Sequence, residues 1–536
     1  FTKFEDELET FRANPYHQLL ITDHSRKRVR HVEQAAPDTD IVDYRLGWVD
    51  DHLIEHDPER WQYSEERAIA FLQRAARDVF EQGHTIARSE QVAAKMRRRG
   101  FERLEVTGDS GHAEMVRVTG ALVEDLIAET DRLEFLVYTD PRTGDRMKGV
   151  TTPQLQMRAM IIRKQMKWLD SKDTPFSDQA AHKMRRAALG TVPFDLDDKQ
   201  KQAVKHAFHG CISAITGPAG SGKTTVLQSV LNGMARLMRE HTVHTPLRDV
   251  KTKTRTAFSV YVTAPTGKAT QRIREGLEVI NPNTGQPIDV QPVDHENMPE
   301  GRHLQRGELQ VGTLHSFLGF RGHSWDVPTP HPSVVVVDES SMMDQEAMFY
   351  LCRYVQRCME DDIPVMLLMT GDVAQLEPVG SGYPFRDVLG ESVGTVIPST
   401  ELDTIHRQGQ SSAIIEASHD ILNGNTPLIS EDVLADDGIA NDFYWHDYPS
   451  TPRGQPIDLW RYMSSVADRA TTYTDGPAVA PEDVQLILPL RNPSSIDPAA
   501  PHTRAANEEL QGIFAEERNV PIEAFTAAPL DDPDDR

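Results

Sequence analysis

Two rhythms of apolar positions divide the chain. Between Ser64 and Gln82 the apolar residues Ile69, Phe71, Leu72, Ala75 and Phe80 recur at helical spacing, which predicts an amphipathic helix. From Glu105 to Tyr138, shorter alternating segments predict strands and a helix, broken by the turn-rich Gly108-Asp109-Ser110-Gly111. Pro141-Arg142-Thr143-Gly144-Asp145 reads as a hairpin turn. From about Val192 the rhythm changes to short apolar runs alternating with helical segments, the signature of an α/β fold. The predicted strands are Ile212 to Ile215, Ser259 to Val262, Val334 to Val337 and Val365 to Met369. Each is followed by polar or glycine-containing loop residues and then by a helical segment. Two interruptions, about Asn232 to Arg255 and Asn281 to Glu308, carry turn signals and charge and read as surface insertions. The end, Asp531 to Arg536, reads as an acidic, disordered tail.

Composition narrows the class without choosing the chemistry. A chain of 536 residues is expected to hold three or four domains. No run of about 18 apolar residues occurs, so no membrane span is expected. Cys211, Cys352 and Cys358 make neither a disulfide framework nor a CxxC zinc pattern. Together with the lack of a signal segment after Phe1, this makes a reducing, cytoplasmic setting the expectation. The formal charge of −25 argues against extensive phosphate neutralisation. A local single-strand channel that uses stacking and backbone donors escapes that objection. No lysine follows Lys268, so a basic groove beyond it would rely on arginine or histidine.

Three segments carry the chemistry. Gly217-Pro218-Ala219-Gly220-Ser221-Gly222-Lys223-Thr224 fits the G-x-x-x-x-G-K-[ST] phosphate loop in full, after a strand and before a helix that opens at Thr225. Its glycines let successive amides curl around phosphates. Lys223 would balance β- and γ-phosphate charge, and Thr224 would ligate Mg²⁺. Next, four valines from Val334 deliver Asp338 and Glu339 to the carboxyl end of a buried strand. There Asp338 suits a Mg²⁺ shell, and Glu339 suits the polarisation of an attacking water. The third segment, Met369 to Val379, ends another apolar strand and offers Gln375 as an uncharged sensor of the γ-phosphate. Arg407 is a candidate to stabilise γ-phosphate charge across a domain cleft.

In this order the segments resemble the RecD-like branch of superfamily 1 helicases, which includes the phage Dda type. Leu196-Asp197-Asp198-Lys199-Gln200 is similar to that branch's adenine-reading segment, with Gln200 the implied base contact. Thr263 to Ala269 resembles motif Ia, Gly312 to Leu318 motif Ib, Asp338 to Asp344 motif II, Gly371 to Pro378 motif III, and Arg407 motif IV. For DNA contacts the resemblance implies Pro265, Thr266 and His315. It places a strand-separating pin over Gly319 to Pro332, where Trp325 either stacks on the fork or anchors an ordinary loop. Gln485 to Arg491, then Asn507 and Leu510-Gln511, resemble the entry to a second RecA-like domain, and Asn14-Pro15-Tyr16 and Gly83-His84-Thr85 are weaker echoes.

The resemblance therefore implies an α/β protein with P-loop, RecA-like motor domains. Residues 1–190 form a mainly helical amino-terminal domain with a DNA-guiding, regulatory or structural role. Residues 191–395 form the first motor domain, and residues 396–536 begin the second. ATP and Mg²⁺ are the implied cofactors, and single-stranded and fork DNA the implied partners. Travel would be 5′-to-3′, in a repair or recombination setting, with the insertions or the amino-terminal domain as candidate protein-docking sites. The family ends its second motor domain with a Thr-x-His-Lys-Ser-Gln-Gly-like motif and an arginine. Neither follows Gln511, so the chain is expected to be a piece of a longer protein. Two alternatives stand beside this reading: a nucleotide-gated DNA-binding or assembly subunit with an incomplete motor, and the helicase portion of a conjugative relaxase.

Overall fold

The computed structural model describes residues 16, 41–107, 112–139, 144–190, 195–240, 259–276, 291–292, 309–321, 324–390, 397–404 and 413–426. Arg407, the Gln485 to Gln511 segment, the acidic tail and most of both interruptions lie outside them. Contacts divide the chain into two units, residues 1–35 with 39–412 and residues 36–38 with 413–536. Among the described residues no helix is long and apolar enough to cross a membrane.

Among the described residues of the larger unit, the first elements are helices α1 (Ile41–His56), α2 (Pro58–Trp61), α3 (Glu65–Glu81) and α4 (Ser89–Arg98). The predicted helix over Ser64 to Gln82 is α3. It starts where the Ser64 hydroxyl accepts from the Arg67 amide at 3.2 Å, an N-cap that satisfies one orphan donor. Strands β1 (Arg103–Thr107) and β2 (Ala113–Arg117) pair antiparallel and lead into α5 (Gly120–Ala128). Strands β3 (Glu134–Thr139) and β4 (Arg146–Thr151) then pair antiparallel across the predicted hairpin turn. Their shared core runs from Tyr16 to Leu155 and includes Phe71, Leu72, Phe80, Met96 and Phe101. One ion pair lies inside it. Arg67 donates Nε and Nη2 to the two Asp50 carboxylate oxygens at 2.6 and 2.8 Å. The Tyr16 hydroxyl donates to the same carboxylate at 2.8 Å. The rings of Phe71 and Phe101 lie 4.9 and 5.1 Å from the guanidinium carbon.

Helices α6 (Pro153–Asp170), α7 (Asp178–Leu189) and α8 (Asp198–His206) lead to the central sheet. Strands β5 (Ile212–Thr216), β6 (Ser259–Ala264), β7 (Gln291–Pro292), β8 (Leu309–Thr313), β9 (Ser333–Val337), β10 (Val365–Gly371) and β11 (Ser399–Glu401) form it in the order β11-β5-β10-β9-β6-β8-β7. Every neighbouring pair is parallel. The side-chain period of two sends Val334 and Val336 to one face and Val335 and Val337 to the other. On the first face they meet Ala180 and Met184 of α7 and Val226, Val230 and Met234 of α9 (Lys223–Glu240). On the second they meet Ile162, Met166 and Leu169 of α6 and Met348, Cys352 and Val355 of α12 (Gln345–Glu360). The helices between these elements are α10 (Gly267–Gly276), α11 (Leu314–Phe317), α12 (Gln345–Glu360) and α13 (Pro384–Leu389). All three cysteines are buried and free, as core residues would be.

Several boundaries differ from those expected. Helices α6 and α7 fall before residue 190, yet they build the sheet's two helical layers. Strand β11 falls after residue 395 and still pairs with β5. Asn232 to Glu240, read as part of an insertion, continue α9 instead. Strand β8 was not anticipated: Gln310 and Gly312 interrupt its apolar run, although its burial is nearly complete. In the smaller unit the described residues form α14 (Ala413–Leu422).

Removing one member of the buried Arg67–Asp50 pair leaves a desolvated carboxylate without its countercharge. Arg67→Met is expected to destabilise the amino-terminal core by about 3–5 kcal/mol, read as a lower denaturant midpoint. An unchanged midpoint would mean the pair contributes nothing.

Candidate functional site

Parallel strands deliver their loops to one edge of the sheet, and the motifs gather there. After β5 the chain turns through Gly217, Gly220 and Gly222, all at positive φ, before α9 begins at Lys223. Gly217 is the most constrained of the three: with φ at +153°, an added Cβ would lie 2.4 Å from the Leu402 carbonyl oxygen. The Lys223 ammonium folds back onto its own loop, donating to the Gly217 and Pro218 carbonyls at 2.6 and 3.0 Å. Burial lowers its pKa, opposed by the nearby Asp372, Glu339 and Asp338.

At the end of β9, Asp338 is held on both sides. Its amide donates to the Thr263 carbonyl at 2.8 Å. Its carboxylate accepts from the Thr370 hydroxyl at the end of β10 and from the Glu339 amide. Burial raises the Asp338 pKa, and these two hydrogen bonds oppose the rise. Glu339 has φ 50° and ψ 40°, a left-handed conformation that costs a side-chain-bearing residue energy. Burial and then the Asp338 charge raise its pKa, Lys223 lowers it, and its Oε2 is buried without a hydrogen-bond partner. Gln375, exposed in the loop after β10, donates its side-chain amide to Asp372 at 3.3 Å.

These residues share a cavity of about 930 Å³. Of the predicted positions, Ala219, Gly220, Gly222, Lys223, Thr224, Thr225, Thr266, Asp338, Glu339 and Gln375 line it. Gly217, Pro218 and Ser221 lie in the same loop outside that lining, and Ser221 is buried. Gln200 stands apart. It is 4% exposed, its side chain accepts from the Asp197 amide at 3.1 Å, and it donates to the Ser221 carbonyl at 3.3 Å. In this arrangement both ends of its amide are engaged, one capping α8 and the other holding the glycine-rich loop.

The predicted DNA positions divide between two places. Pro265 and Thr266 close β6, and the Thr266 hydroxyl caps α10 by accepting from the Ala269 amide at 3.2 Å. His315 lies in the short α11 beyond β8, where burial lowers its pKa. Trp325 is surrounded by rings, with centroids of Tyr350 at 4.5 Å, Phe320 at 4.6 Å and His315 at 5.2 Å. It is packed against the core of the second sheet face, whereas Phe320 remains 37% exposed. Sequence reasoning missed Arg272 and Met342, which also line the cavity, and Thr370, which holds Asp338. Its place four residues after Lys268 on a helix is the signal that could have found Arg272; nothing in the sequence singles out Thr370.

Residues 195–440 match the family described as an AAA domain. An uncharacterized protein of Methanocaldococcus jannaschii is 27% identical over 36% of this chain and 13% of its own. The RecBCD enzyme subunit RecD of Mycolicibacterium smegmatis is 31% identical over 40% of this chain and 34% of its own. The ATP-dependent RecD2 DNA helicase of Deinococcus radiodurans is 25% identical over 43% of this chain and 24% of its own. The aligned stretch thus spans roughly a third or less of these relatives.

Thr370→Val keeps the shape of the side chain but leaves the buried Asp338 carboxylate with one donor fewer. The expected cost is about 1–3 kcal/mol, measured by chemical denaturation. No change would show that Thr370 is replaceable at this position.

Proposed function

We propose that this chain, which resembles the RecD-like superfamily 1 helicases in its motif order and its curated relatives, binds and hydrolyses ATP to drive movement along single-stranded DNA. The observation that carries the reading is the convergence of the glycine-rich loop, Lys223, the Asp338–Glu339 pair and Gln375 on one cavity. Loop amides at the start of α9 suit phosphate oxygens. Lys223, held by two loop carbonyls, exchanges them for the β- and γ-phosphates. Glu339, with a buried oxygen that lacks a partner, orients and polarises the attacking water. Gln375 reads the terminal phosphate from the third side.

The donor set fits Mg²⁺. The Thr224 hydroxyl and the Asp338 carboxylate line the same cavity, and hard oxygen donors suit this ion. Among the described residues no group of three His, Cys, Asp or Glu side chains could hold a metal, so phosphates and water would complete the shell. When bound, the ion neutralises charge on the transferring phosphoryl group. Arg407 and a second motor domain would close the cleft from the far side. Alternate closing and opening of two such domains moves a strand past Pro265, Thr266, His315 and the ring cluster at Trp325. The family resemblance assigns the 5′-to-3′ direction and strand separation at a fork. The cysteine usage fits a reducing, cytoplasmic setting, and residues 1–190 take a DNA-guiding or regulatory role.

ATP hydrolysis with and without single-stranded DNA tests the reading. DNA is expected to stimulate the rate. Lys223→Ala is expected to lower it by roughly 10²–10³ or more, whereas Glu339→Gln should retain nucleotide binding and lose turnover. Hydrolysis unchanged by Lys223→Ala would overturn the assignment. Binding without turnover in the unaltered chain would favour a nucleotide-gated DNA-binding subunit.

A further inference from the structure

Helix α10 lines the cavity together with the glycine-rich loop. Thr266 caps it, so its first turns lie at the carboxyl end of β6, beside the Asp338 edge of β9. Lys268 and Arg272 are four residues apart on this helix, a spacing that puts them on one face. Both are exposed and both line the cavity. Among the described residues neither has a hydrogen-bond or ion-pair partner. Their neighbour Arg274 is engaged elsewhere, donating to the Val311 carbonyl at 3.0 Å. Arg272 stands near enough to Glu339 for its charge to favour the carboxylate, an effect smaller than that of Lys223.

The cavity thus draws cations from two elements and a pair of carboxylates from a third. Lys223 comes from the start of α9 and Lys268 and Arg272 from α10, while Asp338 and Glu339 follow β9. A guanidinium presents a planar fork that matches two phosphate oxygens at once, while an ammonium acts as a point charge. We infer that Arg272 contacts the terminal phosphate of a bound nucleoside triphosphate from within the same domain, with Lys268 adding to the positive field. The inference rests on the nucleotide reading of the cavity and deepens it. Glu339 and Gln375 are the groups assigned above to the terminal phosphate, and the Arg272 charge acts on Glu339. A diphosphate would end short of its reach, so Arg272 lets this domain distinguish ATP from ADP before any second domain closes.

The test compares binding of ATPγS and ADP to the full chain by isothermal titration calorimetry. In Arg272→Ala, ATPγS is expected to bind roughly 10- to 100-fold more weakly, with ADP affinity unchanged. Arg272→Lys should recover part of the loss. Because Arg272 is exposed, thermal melting of the variants should match that of the parent chain. Equal weakening of both nucleotides, or of neither, overturns the inference. So does a variant that keeps ATPγS affinity while losing single-stranded DNA affinity with a shallower salt dependence, since that would assign Arg272 to the strand. If the parent chain binds neither nucleotide, or Lys223→Ala leaves both affinities intact, the nucleotide reading fails and takes this assignment with it.

Discussion

A sheet that is apolar on both faces can carry polar chemistry only at its ends. The valines of β9 spend their side chains alternately on two helical layers, as do Ile212 to Ile215 of β5 and Val365 to Met369 of β10. With both faces sealed, the first residues free to be polar are those just past each strand. Gly217, Thr266, Asp338 and Asp372 all occupy such positions, after β5, β6, β9 and β10. Because these strands run parallel and side by side, their separate exits become one cleft. The burial that stabilises the sheet is therefore also what assembles the site.

Within that cleft, charge is balanced at short range. Asp338, Glu339 and Asp372 act on Lys223, and burial pulls each charged group toward its neutral form: the Lys223 pKa falls while those of Asp338 and Glu339 rise. Such opposed shifts mark groups held out of solvent and close together. Hydrogen bonds from Thr370 and the Glu339 amide oppose the effect on Asp338, whereas one oxygen of Glu339 has no such support. Two adjacent carboxylates thus have different environments, consistent with different tasks.

Much of this was legible in the residues, for identifiable reasons. The phosphate loop is read from spacing because only glycines permit its backbone, and the four valines announce a strand sealed on both sides. Other elements gave no comparable signal. Strand β8 buries Gln310 and carries Gly312, and β11 is only Ser-Thr-Glu; partners on either side define such strands more than their own side chains do. The apolar face of α6 looks like that of any surface helix, so nothing local says it belongs to the sheet and not to the amino-terminal core. The ring cluster around Trp325 joins residues from three elements and is invisible in any one of them. Gln200 shows the same limit, since its contacts are set by where Ser221 lies in space.

One contact between the two cores has a mechanical meaning. The chain leaving Gln375 passes under the amino-terminal core: the Ser381 hydroxyl donates to the Phe80 carbonyl at 2.7 Å, and the Gly382 amide to the Gly83 carbonyl at 2.8 Å. The Gln345 amide at the start of α12 donates to the Ser381 carbonyl at 2.9 Å, and any side chain at Gly380 would collide with Asp344. The loop that carries Gln375 is therefore held at one end like a reed. Within residues 373–379 the Val373 carbonyl accepts from the Tyr383 hydroxyl at 3.2 Å, while Leu376 and Val379 stand 87% and 95% exposed. The loop's start thus leaves the end of β10, and its finish is tied to the carbonyls of Phe80 and Gly83.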